Sequence, residues 1–394
     1  AHLSEALDKN YIGDVLTLKA YLYHFDIGYW ENPAIATEGG TTVANLDYQW
    51  KMGAVGRHKP TAGLSYQMVY YQADPSFPAS FEKTSGSTHL FGGFIQNDLS
   101  LTDKLALTVG VKLEHNDYTG FEYQPSARLR WSDPAHGTYW LAVSRAVRTP
   151  SILEDGGVME ETVPPSAASS YLPTTLQLTG NKNFEAETVL SYEAGFRKNF
   201  SPQFGIDITA FASCYDNLRT LNIGPLIPQF TPPSPFPTSL YGVVTTGNTM
   251  RAHAHGFELA ADYRPAGSLR LQAAYSWLEL QVREKSGNTD PTIFVEERKS
   301  PRHQASLAAY YDISNMWELD VQLRYVGALP SLGVKEYLTS DLRIAWLASP
   351  GVELSLVGRN LFSAQHYEFG QWGLASSTAY RIPREAYLTL NWKF

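Results

Sequence analysis

The chain has 394 residues, 43% hydrophobic and 13% aromatic, with a formal net charge of −8, so it is long enough for one large domain or two ordinary ones. An acidic chain without clustered Lys and Arg excludes a nucleic-acid partner, because binding a phosphate backbone rests on such clusters. Cys214 stands alone, so no disulfide can form within the chain, and no run approaches the roughly 18 apolar residues of a spanning helix.

Strand signals then follow one another almost without interruption. Residues 14–25, 41–51, 61–71, 88–99, 104–114 and 121–131 are rich in Tyr, Val, Leu and Thr at strand length. Alternation is cleanest beside tight turns: Leu105, Leu107, Val109, Val111 and Leu113 oppose Lys104, Thr108, Lys112 and Glu114, as the period of two requires. Residues 139–147, 187–198, 204–215, 251–263, 268–279, 302–311, 317–325, 337–347 and 352–361 continue the series. The last segment puts Ala386, Leu388, Leu390, Trp392 and Phe394 on one face and Glu385, Tyr387, Thr389, Asn391 and Lys393 on the other. Lipid outside and water inside account for both faces. The count is about sixteen, and roughly ten residues each suffice to cross a bilayer when tilted. A sheet that large must curl or close. The expected fold is all-β, a transmembrane antiparallel β-barrel forming one domain over residues 1–394.

The connections alternate in length. Links at 102–103, 132–137, 199–203, 264–267, 312–316 and 349–351 are short and built of turn residues, whereas 148–186, 216–250, 282–301, 327–336 and 362–384 are long; only 116–120 is brief among the latter. Short turns at one rim and long loops at the other are the arrangement of outer-membrane barrels. The proline-rich stretch 225–237 reads as a surface loop between two strands of the series.

Candidate chemistry is sparse. His253 and His255 share one strand face, a metal-ligand geometry if a third donor faced them; the plainer reading is two polar residues of a strand mouth, and no metal is expected. Arg145 and Arg148 border the longest loop, where they could hold an anionic ligand or pair with Glu154 or Asp155. Tyr171, Phe230, Phe236, Tyr241 and Trp372 lie in long loops, where a ring can stack on a flat ligand or simply pack. Trp131, Trp140, Trp317, Trp346 and Trp392 fall near strand ends and read as a membrane-interface girdle. Asp207, Gln272, Arg324, Asp341 and Arg343 read as lumen lining. No G-x-S-x-G, H-E-x-x-H or phosphate-cradling glycine loop frames a catalytic group, so neither an enzyme nor a cofactor is expected.

The stretches F-G-G-F-I-Q-N-D at 91–98, L-T-V-G-V-K-L-E-H-N-D-Y-T-G at 107–120, Q-P-S-A-R-L-R-W at 124–131 and S-R-A-V-R-T-P-S at 144–151 together resemble a TonB-dependent outer-membrane receptor. So do G-N-K-N-F-E-A-E-T-V-L-S-Y-E-A-G-F-R at 180–197, G-R-N-L-F at 358–362 and the I-P-R-E-A-Y-L-T-L-N-W-K-F ending. The resemblance implies a receptor in the bacterial outer membrane, surrounded by its lipid, that takes up a scarce solute such as a ferric siderophore, haem, cobalamin or sometimes an oligosaccharide, using energy relayed through TonB. It implies that Tyr387, Trp392 and Phe394 form the signal read by the barrel-assembly machinery. It also implies a plug domain carrying the TonB contact and a barrel of about 22 strands, so this chain is expected to be the C-terminal part of the barrel, without plug or first strands. Residues 15–25 carry a mixed pattern, with Leu16, Leu18 and Leu22 opposing Val15, Tyr21, Tyr23 and Phe25, and are expected to pair with a strand outside this sequence rather than with 387–394. A passive porin-like channel of about sixteen strands and a barrel enzyme remain open alternatives: a constricting loop in an open lumen would favour the channel, a lumen lined with charged partners the receptor.

Overall fold

The computed structural model of the protein describes residues 9–11, 14–28, 38–73, 79–81, 83–163, 165, 169–370 and 379–393. Sixteen long strands build the wall: β1 (Asp14–Gly28), β2 (Glu38–Lys51), β3 (His58–Ala73), β4 (Ser85–Ser100), β5 (Leu105–Asn116), β6 (Gly120–Asp133), β7 (Gly137–Arg148), β8 (Glu187–Ser201), β9 (Phe204–Ile223), β10 (Ser239–Ala266), β11 (Leu269–Glu284), β12 (His303–Ser314), β13 (Trp317–Val326), β14 (Tyr337–Ser349), β15 (Val352–Arg359) and β16 (Glu385–Trp392). Each pairs antiparallel with the next in sequence. The result is an all-β, up-and-down barrel wall, and no helix among the described residues is long and apolar enough to cross a membrane.

Register keeps each face uniform around the wall. One row passes through directly opposed partners from Trp131 to Tyr139, Phe196, Ile208, Leu259, Tyr275, Ala305, Tyr325 and Leu338. The neighbouring row on the other face runs from Arg130 to Trp140, Gly195, Thr209, Glu258, Ser276 and Gln304. A slip of one residue in any ladder would exchange those faces. Leu64, Leu141, Leu388 and Leu390 on the apolar face are 60–69% exposed, so nothing among the described residues covers them, as a lipid-facing surface requires.

Aromatic rings gather on the outer face at both ends. Near the short turns, Trp131 and Tyr139 lie 5.5 Å apart, Tyr139 and Phe196 4.7 Å, and Trp317 stacks on Trp346 at 6.1 Å. Near the long loops, Tyr66 meets Phe91 at 4.8 Å and Phe257 meets Trp277 at 5.9 Å. Trp140 departs from the girdle reading. It alternates with Tyr139 and so faces the lumen, where its indole N–H donates to Glu193 at 2.6 Å.

Two long connections are more ordered than the sequence pattern indicates. Residues 216–250 are not a loop throughout, because L-R-T-L-N-I and L-Y-G-V-V-T-T extend β9 and β10 upward and pair Leu221 with Thr246 and Ile223 with Val244; these are β-branched, strand-forming runs. The short strands Gly157–Val163 and Thr174–Thr179 pair with each other, and the second adds in parallel to β10 between Leu240 and Thr245. Among the described residues, β1 forms ladders with β2 and Lys9–Tyr11, β16 forms one with β15, and none joins β1 to β16.

Candidate binding cleft at the barrel mouth

The start of the long segment after β7 is fastened to the wall by a buried carboxylate, as its strand Thr174–Thr179 is by the parallel ladder to β10. Ser151 caps the short helix α1 (Ile152–Gly156), and the side chain of Glu154 returns to Ser151 in a capping box. Glu154, only 3% exposed, accepts a bidentate pair from Arg148 at 2.8 and 2.9 Å, the Ser151 N–H at 2.8 Å and the Ser151 hydroxyl at 2.9 Å. Arg148 also donates to Glu187 at 2.7 Å, and Glu187 accepts the Arg219 N–H at 2.8 Å. Burial alone would push the Glu154 carboxyl up, but the bonds from Arg148 and Ser151 hold it below its ordinary value. The Glu154 carbonyl in turn accepts from the Asn181 N–H at 2.7 Å and the Thr246 hydroxyl at 3.0 Å, which ties the G-N-K-N-F motif to β10.

The connection after β11 folds onto the inner face of the same sector. Asp290, 7% exposed, accepts the Leu221 N–H and the Thr292 N–H at 2.8 Å each. The 3-10 turn Ile293–Arg298 buries Ile293 against Met250, Ala252 and Val282, with Tyr215, Leu218 and Leu280 packed around them. Between this turn and the Arg148 clamp lies a cleft of about 660 Å³, within the usual range for small-molecule sites. Phe211, Tyr215, Leu218, Met250, Leu278 and Leu280 line it, and Arg148, Arg219, Lys299, Glu187 and Glu296 rim it. The Arg219 guanidinium reaches Glu154 at only 3.6 Å, which leaves most of its planar donor fork for a ligand.

Deeper in the barrel the inner face is polar and ion-paired. Arg343 meets Glu318 at 3.0 Å, Asp320 at 2.9 Å and Glu353 at 2.6 Å, and Arg197 pairs with Asp207. Gln272 donates to Asp262 at 3.1 Å, and Asp341 accepts the Asn360 N–H at 3.0 Å. A recess of about 630 Å³ opens between Trp140, Arg197, Asp207, Glu258 and Arg324. At its upper edge Glu368 bonds His366 at 3.1 Å and pairs with Arg324; burial would raise its carboxyl, yet these two neighbours hold it below the ordinary value.

Of the expected ligand residues that are described, only Arg148 lines the cleft. Arg145 alternates out of the lumen, lies 4.3 Å over the Tyr123 ring and donates to the Tyr123 carbonyl. His253 and His255 share a face, but it is the outer one: His253 opposes Cys214 and Gln281, and His255 packs edge-on against Trp277 at 5.4 Å. No cluster of three or more metal-ligating side chains exists among the described residues. Tyr241 is a strand residue between Thr175 and Ile227. Tyr171, Phe230 and Phe236 are 74%, 59% and 74% exposed and lie outside the cleft. Tyr387 lies 5.3 Å under the Arg359 guanidinium and Trp392 opposes Val352, while Trp372 and Phe394 fall outside the described residues. The cleft lining went unread although a signal was present: in W-L-E-L-Q-V at 277–282 the apolar residues change faces, so Leu278, Leu280 and Val282 point inward.

Sequence and structure comparisons give the relatives. Among curated proteins, none matches this chain by sequence. Similar solved structures include the siderophore receptor PirA from Acinetobacter baumannii, at 12% identity and TM-score 0.69, covering 97% of this chain and 63% of that one. A mutant of the ferric enterobactin receptor PfeA from Pseudomonas aeruginosa follows at 16% and 0.71, covering 97% and 59%. The FrpB iron transporter from Neisseria meningitidis is similar at 15% and 0.71, covering 99% and 62%. The chain thus spans about three-fifths of the length of these structures, and identities this low speak to the fold. A family model described as "TonB dependent receptor-like, beta-barrel" matches residues 7–361, nine-tenths of the sequence, and with the paired wall, the two-sided alternation and the elaborated mouth it shows that the chain belongs to the TonB-dependent receptor β-barrel family.

Proposed function

We propose that this chain forms the wall and mouth of a receptor in the bacterial outer membrane that takes up an iron chelate or a comparably scarce solute, and that the cleft above β9–β11 is where the ligand first binds. The observation that carries this reading is the cleft itself: an aromatic and aliphatic floor, Phe211, Tyr215, Leu278 and Leu280, beside the loosely paired Arg219. Such a floor suits a flat ligand, and the guanidinium suits an acidic or phenolate edge. The names of the similar structures, a siderophore receptor, a ferric enterobactin receptor and an iron transporter, support the choice of ligand class. A further domain of the same receptor, carrying the TonB contact, is proposed to occupy the lumen, where Arg343, Glu318, Asp320 and Glu353 supply charge.

The test uses the complete receptor in detergent, titrated with a panel of ferric catecholates and hydroxamates. Arg219→Ala and Tyr215→Ala are each expected to weaken binding of the cognate chelate about tenfold, or ~1.4 kcal/mol. Unchanged affinity in both variants would remove the cleft from the binding path. In cells, uptake should stop when the proton-motive force is dissipated; uptake that persists would favour the passive channel instead.

A further inference from the structure

The outer face above the upper aromatic girdle carries an arrangement that the receptor reading leaves unused. Arg251 on β10 and Arg283 on β11 are directly opposed ladder partners. Both are exposed, and they share the outer face with His253, His255 and Trp277, since Ala252, Ala254 and Val282 between them are buried on the inner side. Like charges directly opposite destabilise a ladder. The nearby acids relieve this pair only in part: Asp216 feels the Arg251 charge but is bonded to Lys285 at 2.9 Å, Glu279 is bonded to Arg302 at 2.6 Å, and Glu284 opposes Met250 on the inner face. Among the described residues neither Arg251 nor Arg283 has an ion-pair partner, and the patch holds four cations against two carboxylates in a chain of net charge −8.

Its height relative to the membrane band is set by the strand. Tyr263 packs against Phe204 in the lower girdle at 5.8 Å, and Arg251 lies twelve residues further along β10 on the same face. At ~3.4 Å per residue and a tilt of about 40° that is about 31 Å, just beyond an apolar band of about 25 Å. We infer that Arg251 and Arg283 form a clamp for the phosphate of an anionic lipid headgroup in the outer leaflet, with the acyl chains lying along Phe257, Tyr275 and Trp277. Opposed guanidinium groups with Cβ atoms ~5 Å apart can both donate to one phosphate, and the phosphate removes the repulsion between them. This inference rests on the membrane placement proposed above.

The complete receptor, reconstituted in phosphatidylcholine nanodiscs containing a small fraction of bis-phosphorylated lipid A, provides the test by native mass spectrometry of retained lipid. Wild-type protein is expected to retain lipid A at least tenfold more than the Arg251→Gln, Arg283→Gln variant, and millimolar inorganic phosphate should not displace it. Equal retention overturns the clamp, and displacement by inorganic phosphate would make it a free-anion site instead. Folding of each variant is checked by its heat-dependent gel migration. Should the glutamine variant misfold, the Arg251→Lys, Arg283→Lys variant keeps the charge but loses the forks and should retain about threefold less; wild-type retention there equally overturns the proposal. Wild-type protein that fails to enter nanodiscs refutes the membrane placement, whereas insertion without selective retention refutes the clamp alone.

Discussion

Replacing Glu154 with Ala should loosen the segment 149–186 from its start, against the ladder that joins Thr174–Thr179 to β10, without opening the wall. The substitution removes the acceptor of four hydrogen bonds, two from the Arg148 guanidinium and two from the Ser151 backbone N–H and hydroxyl. Breaking a buried charge pair by removing one partner costs about 3–5 kcal/mol, but the Arg148 side chain is 46% exposed and keeps Glu187, so about 3 kcal/mol is the better figure. At ~1.4 kcal/mol per decade that is roughly a 150-fold rise in the open population. Hydrogen exchange on the complete receptor in micelles should therefore show amides of Gly157–Val163 and Thr174–Thr179 exchanging about two orders of magnitude faster, with the β7–β8 ladder unchanged. Acid should act in the same direction. Because the folded carboxyl is held below its unfolded value of about 4.3, its contribution is complete above that value and is lost as pH falls through the lower folded one. Unaltered protection in both short strands, or equal loss in β7 and β8, would refute the clamp.

Asn360 sits at φ 55 in the G-R-N-L-F motif, accepts the Thr339 hydroxyl at 2.9 Å and donates to the Pro383 carbonyl at 2.9 Å. Asn360→Ala should lose about 3 kcal/mol, near 1 from the left-handed backbone and about 1 from each bond, and Asn360→Gly about 1 less; equal thermal midpoints for wild type and Ala would contradict this. A Cβ added at Gly195 would fall within the Trp140 ring, so Gly195→Val should turn that indole away from Glu193; a 5-fluorotryptophan resonance for Trp140 that stays in place would count against the contact. Deleting Phe394 should lower the amount of folded barrel in the membrane, measured by heat-dependent gel migration, and undiminished levels would argue against an assembly signal there.

The wall was legible because the bilayer imposes one rule on every strand. Sixteen segments were found at their observed places, since outward residues must be apolar and the lumen tolerates polar ones, and register carries that rule from ladder to ladder. Strand ends were less legible. Beyond the bilayer nothing enforces a polar inner face, so β9 reaches Ile223 and β10 begins at Ser239, inside what reads as a long loop. His253 and His255 illustrate the related error about faces: their spacing fixes that they share a side, but which side follows only from the register that sets Phe257 opposite Trp277. Arg148 was identifiable as a loop-border cation with Glu154 nearby in sequence. Arg219, Lys299 and Met250 join the same cleft only through three separate ladders and an inward-folded turn, none of which leaves a local pattern.

The change of faces at the top of β11 explains why the cleft sits where it does. Within the membrane band the outer side is apolar, as with Leu271 and Tyr275, and the inner side carries Arg270 and Gln272. Past Trp277 the assignment reverses: Glu279, Gln281 and Arg283 face outward into water or headgroups, and Leu278, Leu280 and Val282 face inward. A strand of 16 residues on β11 and 28 on β10 far exceeds the roughly ten needed to cross a bilayer, so the surplus stands above the membrane. There the same ladder that met lipid below acquires an apolar inner surface, and the 3-10 turn and the Arg148 clamp close over that surface from two sides. The cleft floor is therefore an extension of the wall, held by continuous ladder hydrogen bonds, and only its rim depends on loops. Under the function proposed above, the rigid contacts of a ligand fall on Phe211, Tyr215, Leu278 and Leu280, and the adjustable ones on Arg219 and Lys299.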